Sequence, residues 1–193
     1  VVNFNGTSLL GLKPHEINQA GVSRVFQTPE IFGSLTCFEN VMIPAFARRD
    51  GAFTLNAWSG LSTERSIQQK AMDMLEELGM GHLTGIEAAQ LSRGDKRRLE
   101  LAMCLVQKPK LLLLDEPTAG MSRHDTNLTV ELLQQISETG ITMVVIEHDM
   151  HVVFSLAEKI SVMAQGTVIA EGPPADIKGD QRVQDAYLGG AHL

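Results

Sequence analysis

The sequence predicts an α/β fold in which a parallel sheet is combined with an inserted, mainly helical subdomain. Two strand-sized apolar runs, residues 111–114 (LLLL) and 143–146 (MVVI), are separated by a segment of helical periodicity, and strands that alternate with helices favour a parallel sheet. Residues 36–108 show mainly the helical spacing of apolar side chains. We therefore predict one domain, in which 1–35 and 109–193 form the α/β core and 36–108 form the helical subdomain.

The composition is that of one globular domain. The chain has 193 residues, of which 44% are hydrophobic and 20% charged, so disordered and collagen-like classes are excluded. The net charge of −7 argues against a broadly basic nucleic-acid surface. No apolar run approaches the roughly 20 residues that span a bilayer. Cys37 and Cys104 lack ligand-like spacing, which predicts reduced structural thiols.

The N-terminal segment is predicted to contain two strands and one short helix. Residues 1–4 form a strand that the Asn5-Gly6 turn closes. Residues 14–20 form a helix that begins with a proline, and 22–27 form the second strand. This second strand is the first one expected in the parallel sheet.

Three helices are predicted in the subdomain. Thr36, with Glu39 three residues later, has the spacing of a capping box and starts the first helix. Residues 48–62 are rich in Gly, Ser and Asn and predict a loop, and the second helix runs from Thr63 to the stop at Gly79. The third helix begins after the cap Ser92; its charged residues are predicted to lie mostly away from its apolar side: Lys96, Arg97, Arg98 and Glu100.

The remaining elements alternate in type. The two apolar runs are interpreted as buried strands. The segments predicted in order are a strand at 111–114, a helix at 125–137, a strand at 141–146, a helix at 151–157 and a hairpin of strands at 160–163 and 167–170.

Candidate functional residues follow the strands. Asp115 and Glu116 end the LLLL strand, where α/β sheets bind their ligands. Because side chains alternate along a strand, we expect separate roles: one acid near Mg²⁺ and the other orienting a water. His148 after the next strand could donate to a phosphate, and Gln27 follows the strand at 22–27. Taken alone, the two acids could instead form a solvated acidic turn, whereas His148 and Gln27 are better explained as ordinary polar residues after a strand.

The start of the third helix is a further candidate. Ser92-Arg93-Gly94-Asp95 opens the helix, and free N–H groups at a helix N-terminus attract anions. The alternative is simple capping by Ser92.

Taken in order, these motifs resemble the nucleotide-binding subunit of an ABC transporter, which is a P-loop NTPase. Gln27 matches the Q-loop, residues 92–94 match the signature loop, and 111–117 (LLLLDEP) match the Walker B strand. Residues 119–122 match the D-loop and His148 matches the switch loop. Residues 146–150 (IEHDM), 97–102 (RRLELA), the loop at 48–62 and 186–189 (AYLG) resemble the ATPases of branched-chain amino acid importers; relatives in urea or amide import and lipopolysaccharide export share parts of this pattern.

The resemblance implies roles for these residues. Asp115 and Gln27 would lie near Mg²⁺, Glu116 would polarise the hydrolytic water, and His148 would contact the γ-phosphate of ATP. Ser92, Gly94 and Ser122 would contact nucleotide, with Ser92 and Gly94 acting on ATP bound to the opposite subunit.

The resemblance also implies partners. These are membrane permease subunits, a second ATPase subunit in a homo- or heterodimer and, indirectly, a periplasmic or lipoprotein substrate-binding protein; no nucleic acid is expected. The subunit would lie in the cytoplasm, on the inner face of the membrane. An ABC ATPase acting on DNA is disfavoured because no sustained heptads separate Gln27 from Ser92.

Two departures from the family shape these expectations. No G-x-x-x-x-G-K-[S/T] loop, the Walker A motif, occurs in the sequence, so we expect an ABC ATPase lacking its N-terminal strand and Walker A loop. It would be either a fragment or a non-catalytic remnant, binding ATP weakly by itself and exposing apolar strand edges. Asp95 replaces a usual glutamine and should repel phosphate, so Asp95→Gln in a repaired full-length version is expected to raise ATPase activity.

Overall fold

The computed structural model describes residues 1–50 and 61–188 and divides the chain into two units, residues 1–146 and 147–193. In the described ranges no helix combines the length and apolarity needed to cross a membrane. Most of the predicted loop at 48–62 and the end of the AYLG segment lie outside the described residues. Residues 48–50, which sequence analysis placed in that loop, end a helix instead.

The first unit begins with a two-stranded hairpin. Strands β1 (Asn3–Phe4) and β2 (Thr7–Ser8) pair in antiparallel register. The turn at Asn5 and Gly6 has φ angles of 48° and 78°, and asparagine and glycine tolerate this left-handed region best. Helix α1 (Pro14–Ala20) follows, with the predicted bounds.

A three-stranded parallel sheet forms the centre of the first unit. Its strands are β3 (Val22–Val25), β4 (Leu111–Asp115) and β5 (Thr142–Ile146), in the order β3-β4-β5. Central β4 pairs Leu111 with Val22 on one side and with Thr142 on the other. Helix α5 (Arg123–Glu138) connects β4 with β5. The parallel sheet is therefore present as predicted.

The expectation that residues 141–146 form a second buried strand is wrong. Val144 and Ile146 of β5 are 49% and 61% exposed. In the described part of the chain β5 pairs with β4 alone, so it is an edge strand, with one face uncovered. Central β4 is fully buried on one face, through Leu112 and Leu114, whereas Leu111 and Leu113 on the other face are partly exposed. The expectation that residues 111–114 form a strand buried on both faces is therefore wrong as well.

Helices dominate the segment between β3 and β4. They are α2 (Cys37–Asp50), α3 (Leu61–Glu77) and α4 (Arg93–Leu105), and they pack on one another. Thr36 and Glu39 form the predicted capping box, in which each side chain bonds the main chain of the other residue. The division into a core and a helical subdomain stays a prediction.

The second unit has its own small core. Helix α6 (Met150–Leu156) precedes the antiparallel strands β6 (Ile160–Ala164) and β7 (Thr167–Gly172), as the sequence predicts. The short helices α7 (Pro174–Gly179) and α8 (Gln181–Val183) follow. One cluster of buried residues in this unit consists of Ile160, Val162, Ala170, Ile177 and Val183.

Candidate functional site

The candidate site begins at the carboxyl edge of the parallel sheet. Val25 of β3 pairs with Leu114 of β4, so the residues that follow both strands emerge at the same edge. Asp115 ends β4 and Glu116 comes next, while Gln27 lies two residues beyond β3. This edge is where open α/β sheets bind their ligands.

Gln27 and Glu116 meet directly at this edge. The Nε2 of Gln27 donates a hydrogen bond to Oε2 of Glu116 over 2.7 Å. Glu116 has a φ of 44°, and its N–H donates to the carbonyl of Ile146 at 2.9 Å. Such a left-handed conformation is uncommon outside glycine and often marks functional positions. Two residues far apart in the sequence are thus brought together as the motif pattern suggests.

Asp115 has a different partner from Glu116. The Nη2 of Arg24 donates to Oδ2 of Asp115 at 2.7 Å, with the two side chains 51% and 30% exposed. The guanidinium also lies 4.6 Å from the centre of the Phe26 ring. Sequence reasoning missed Arg24, although it faces Leu113 in the register, two residues before Asp115. Asp115 and Glu116 therefore have different hydrogen-bond partners, and their separate roles stay a prediction.

Ser92 caps helix α4 through a local network. Its Oγ accepts a hydrogen bond from the N–H of Asp95 at 3.1 Å and donates to the Asp95 carboxylate at 2.7 Å. The Asp95 carboxylate thus lies at the positive end of the helix, which favours negative charge. Ser92 therefore caps α4, which is one of the two alternatives that the sequence leaves open for this segment.

Ser122 caps helix α5 in the same way. Its Oγ accepts from the N–H of Asp125 at 3.2 Å and donates to the Asp125 carboxylate at 2.7 Å. Gly94 of α4 lies beside this cap, since a Cβ placed there would be 3.7 Å from Oδ1 of Asp125. The starts of α4 and α5 therefore lie next to each other.

Arg93 connects these helix starts further. Its Nη1 donates to the carbonyl of Gly120 at 2.9 Å. Gly120 has a φ of 67°, and a Cβ at this position would overlap the Arg93 guanidinium. The positive φ therefore favours glycine at position 120, and a side chain there would displace the end of the Arg93 side chain from the Gly120 carbonyl.

A cleft of about 470 Å³ lies between the parts of the site in the first unit. Residues 27–29 line it together with 119–121 and three bases of α4: Arg93, Lys96 and Arg97. The predicted residues Gln27, Asp115 and Glu116 form one group at the sheet edge. Ser92, Gly94 and Ser122 form a second group at the starts of the two helices.

Two charged residues of α4 are buried, which corrects the sequence expectation. Arg97 and Glu100 were predicted to lie away from the apolar side, yet they are 2% and 3% exposed. They form an ion pair with 2.7 Å between Nη1 of Arg97 and Oε2 of Glu100. Burial raises the pKa of the Glu100 carboxyl, against hydrogen bonds and the Arg97 charge, which lower it. The one signal in the sequence was their opposite charge at a spacing of three residues.

His148 belongs to the second unit. It lies between β5 and α6 and is exposed. Asp149 caps α6 by accepting a hydrogen bond from the N–H of His151 at 2.8 Å. The assignment of His148 to a phosphate stays a prediction.

The two cysteines are structural. Cys37 and Cys104 are free and buried, and desolvation raises the pKa of the Cys104 thiol to about 12. Such a thiol stays neutral, and it is the thiolate that reacts and binds metals.

A central parallel sheet that carries two acids and a glutamine at its carboxyl edge, beside a serine-capped helix, is the arrangement of a P-loop ATPase of the ABC type. Comparisons with known proteins agree. The family model described as ABC transporter matches residues 1–119, and that described as branched-chain amino acid ATP-binding cassette transporter matches residues 167–193.

Individual relatives extend this match over nearly the whole chain. The high-affinity branched-chain amino acid transport ATP-binding protein BraF of Pseudomonas aeruginosa is 33% identical over 99% of this chain and 76% of its own length. LivG of Escherichia coli, which carries the same description, is 35% identical over 95% of this chain and 73% of its own length.

A solved structure agrees with the fold. The ADP conformation of MJ1267, an ATP-binding cassette of an ABC transporter, aligns with a TM-score of 0.79 and 28% identity, over 96% of this chain and 75% of its own. The chain therefore belongs to the ABC transporter ATP-binding family, whose members are ATPases that couple ATP hydrolysis to transport.

Proposed function

We propose that this chain is part of an ATPase that hydrolyses ATP to power the uptake of branched-chain or related amino acids. Because no Walker A loop occurs in these 193 residues, the proposal concerns the full-length ATPase and not the chain by itself. The observation that carries the proposal is the hydrogen bond between Gln27 and Glu116, at the edge where Asp115 also emerges. In this proposal Glu116 polarises the attacking water, and Gln27 holds the carboxylate of Glu116 in place. The match of residues 167–193 to the branched-chain family model supports the substrate class.

Mg²⁺ fits the residues at this edge. Across residues 1–50 and 61–188 no three His, Cys, Asp or Glu side chains cluster to hold a metal by themselves. Mg²⁺ does not need such a cluster, because it takes much of its shell from phosphate oxygens and water. We assign Asp115, with the amide oxygen of Gln27, to this ion, which would neutralise charge on the phosphates.

The other site residues are assigned to nucleotide contacts. Ser92 and Gly94 lie at the start of α4 and would contact the γ-phosphate bound to a second ATPase subunit, and Ser122 lies beside them. His148 would donate to the γ-phosphate. The permease subunits, the second ATPase subunit and the substrate-binding protein are the proposed partners, and the inner face of the membrane is the proposed location.

A related transport system is the second candidate. The lipopolysaccharide export ATP-binding protein LptB of Haemophilus influenzae is 28% identical over 96% of this chain and 73% of its own length. This match favours lipopolysaccharide export as the alternative to amino acid import.

Transport in cells distinguishes the two candidates. A strain deleted for the gene should lose uptake of radiolabelled leucine, isoleucine or valine, and the wild-type gene should restore it. Glu116→Gln should fail to restore uptake, whereas Glu131→Gln, which changes an exposed acid of α5, should restore it. Normal uptake in the deletion strain, combined with accumulation of lipopolysaccharide at the inner membrane, would contradict import and support export.

A further inference from the structure

The buried pair Arg97–Glu100 holds the segment that carries Gln27. Nη1 of Arg97 donates to the carbonyl of Phe26, and Nη2 donates to the carbonyl of Gln27 at 2.8 Å. On the other side, Oε1 of Glu100 accepts hydrogen bonds from the N–H of Phe26 at 3.1 Å and of Glu30 at 3.2 Å. Four hydrogen bonds therefore fix the main chain of residues 26–30 to one face of α4.

The segment that Arg97 and Glu100 hold also reaches Glu116, the residue proposed to polarise the attacking water. The main chain of Gln27 is held by Arg97, while its side chain donates to Oε2 of Glu116 at 2.7 Å. The same helix begins at the cap Ser92. A displacement of α4 would therefore displace Gln27, and with it the hydrogen bond to Glu116.

Packing alone does not account for the pair. Removing two charges from water is costly, and apolar residues of similar volume often stabilise a core equally well. In the described part of the chain Nε of Arg97 is buried without a hydrogen-bond partner, which adds to this cost. The four main-chain bonds, which apolar side chains cannot make, are what distinguishes the pair from a simple core filling.

We propose that Arg97 and Glu100 are positioning residues for ATP hydrolysis, which fix residues 26–30 so that Gln27 meets Glu116. The proposal rests on the catalytic roles proposed above for Gln27 and Glu116. Neither Arg97 nor Glu100 touches the reacting atoms in this scheme. They act through the main chain of residues 26–30. Substituting them should therefore lower kcat, and only while the Gln27 side chain is present.

The test uses Arg97→Lys and Glu100→Gln in the ATPase assembled with its membrane subunits. Each should lower kcat by at least about tenfold, because small displacements of catalytic groups have effects of this size, while KM for ATP changes less than about twofold. Arg98→Lys is the matched control, since Arg98 is the next residue of α4 and is partly exposed; it should leave kcat unchanged. Hydrogen exchange at the amides of Phe26 and Glu30 should accelerate in Glu100→Gln and stay unchanged in the control.

A double substitution guards against simple unfolding. Arg97→Met combined with Glu100→Leu removes both charges together, so no single charge is left buried. Its unfolding midpoint should fall because four main-chain groups lose their partners, and under conditions where circular dichroism shows it folded it should have the same loss of kcat. In a Gln27→Ala background neither Arg97→Lys nor Glu100→Gln should lower kcat further, because the group they position is absent.

The outcomes separate this proposal from the proposed function. Wild-type kcat in the Met/Leu variant, or losses that multiply with that of Gln27→Ala, would overturn the positioning role. If Gln27→Ala and Glu116→Gln both retain wild-type turnover, the catalytic assignment itself fails, and the positioning role fails with it. If these two variants lose turnover while Arg97→Lys and Glu100→Gln do not, only the positioning role fails.

Discussion

Two ion pairs of equal length lie next to Phe26, beside Gln27, and they differ in their exposure to water. Arg97–Glu100 and Arg24–Asp115 each join nitrogen and oxygen over 2.7 Å, but the side chains are 2% and 4% exposed in the first pair and 51% and 30% in the second. Water screens the exposed charges, whereas the buried charges depend on each other and on the main chain. Two ion pairs with the same distance thus differ in role. The buried pair holds the fold together, whereas the exposed pair lies at the sheet edge to which we assign the chemistry.

The largest expected effect is the loss of one partner of the buried pair. Arg97→Met leaves the Glu100 carboxylate buried without its cation, so the free energy of unfolding should fall by about 3–5 kcal/mol. Urea denaturation measures this change. Arg98→Met is the control: its ion pair with Asp95 spans 3.5 Å and is partly exposed, so the loss should stay below about 1 kcal/mol. Equal losses in the two variants would remove the distinction between buried and exposed pairs.

A smaller effect is expected from pH. Because burial raises the pKa of Glu100, the folded state holds this proton more tightly than the unfolded chain. The stability that Glu100 contributes is therefore fully present at pH values below its ordinary pKa of 4.5. It is lost as the pH rises through the pKa of the folded state. Protonation removes a charge but no hydrogen-bonding atom of Glu100, so the change should be smaller than that of Arg97→Met.

Denaturation at several pH values tests this sign. The free energy of unfolding of the wild type, relative to that of Glu100→Gln, should increase as the pH falls from neutral towards the ordinary pKa of a glutamate. A relative stability that decreases over the same range would show that the ionised carboxylate is favoured in the fold.

The two serine caps should have similar and moderate effects. Ser92→Ala and Ser122→Ala each remove an acceptor for an N–H at a helix start, which costs about 1 kcal/mol. Thermal unfolding compares the two variants. Because both caps are exposed and have the same geometry, a loss several times larger in one of them would indicate that its helix start is coupled to the buried pair.

The smallest effect is expected at the exposed pair. Arg24→Gln should lower the free energy of unfolding by only about 0.2–1 kcal/mol, and the difference should shrink in high salt, which screens exposed charges. Urea denaturation at about 0.1 M and about 1 M NaCl measures both. A salt-independent loss as large as that of Arg97→Met would show that Arg24–Asp115 is part of the scaffold.

Local sequence signals predicted most elements and the first group of site residues. The proline at position 14 and the serine at position 92 start helices where they were expected to, because caps act within one turn of the chain. Gln27, Asp115 and Glu116 emerge at one edge because the carboxyl ends of parallel strands lie side by side. Gln27 is linked to the acids through the family resemblance, and the roles of all three residues stay predictions.

Long-range features could not be predicted in this way. Arg24 meets Asp115 through the register of two strands far apart in the sequence. Charged residues are rarely buried, so Arg97 and Glu100 were placed on the outside of α4. The exposure of Ile146 depends on which strands flank β5, and an apolar run does not show this.

The measurement that tests the account most directly is ATP turnover by Glu116→Gln in the full-length ATPase, assembled with its permease subunits. If Glu116 polarises the attacking water, turnover should fall by about 10²–10⁴-fold, while nucleotide binding and the free energy of unfolding stay near the wild-type values. Glu131→Gln should hydrolyse ATP normally. Wild-type turnover in Glu116→Gln would contradict the assignment of the sheet edge as the catalytic site.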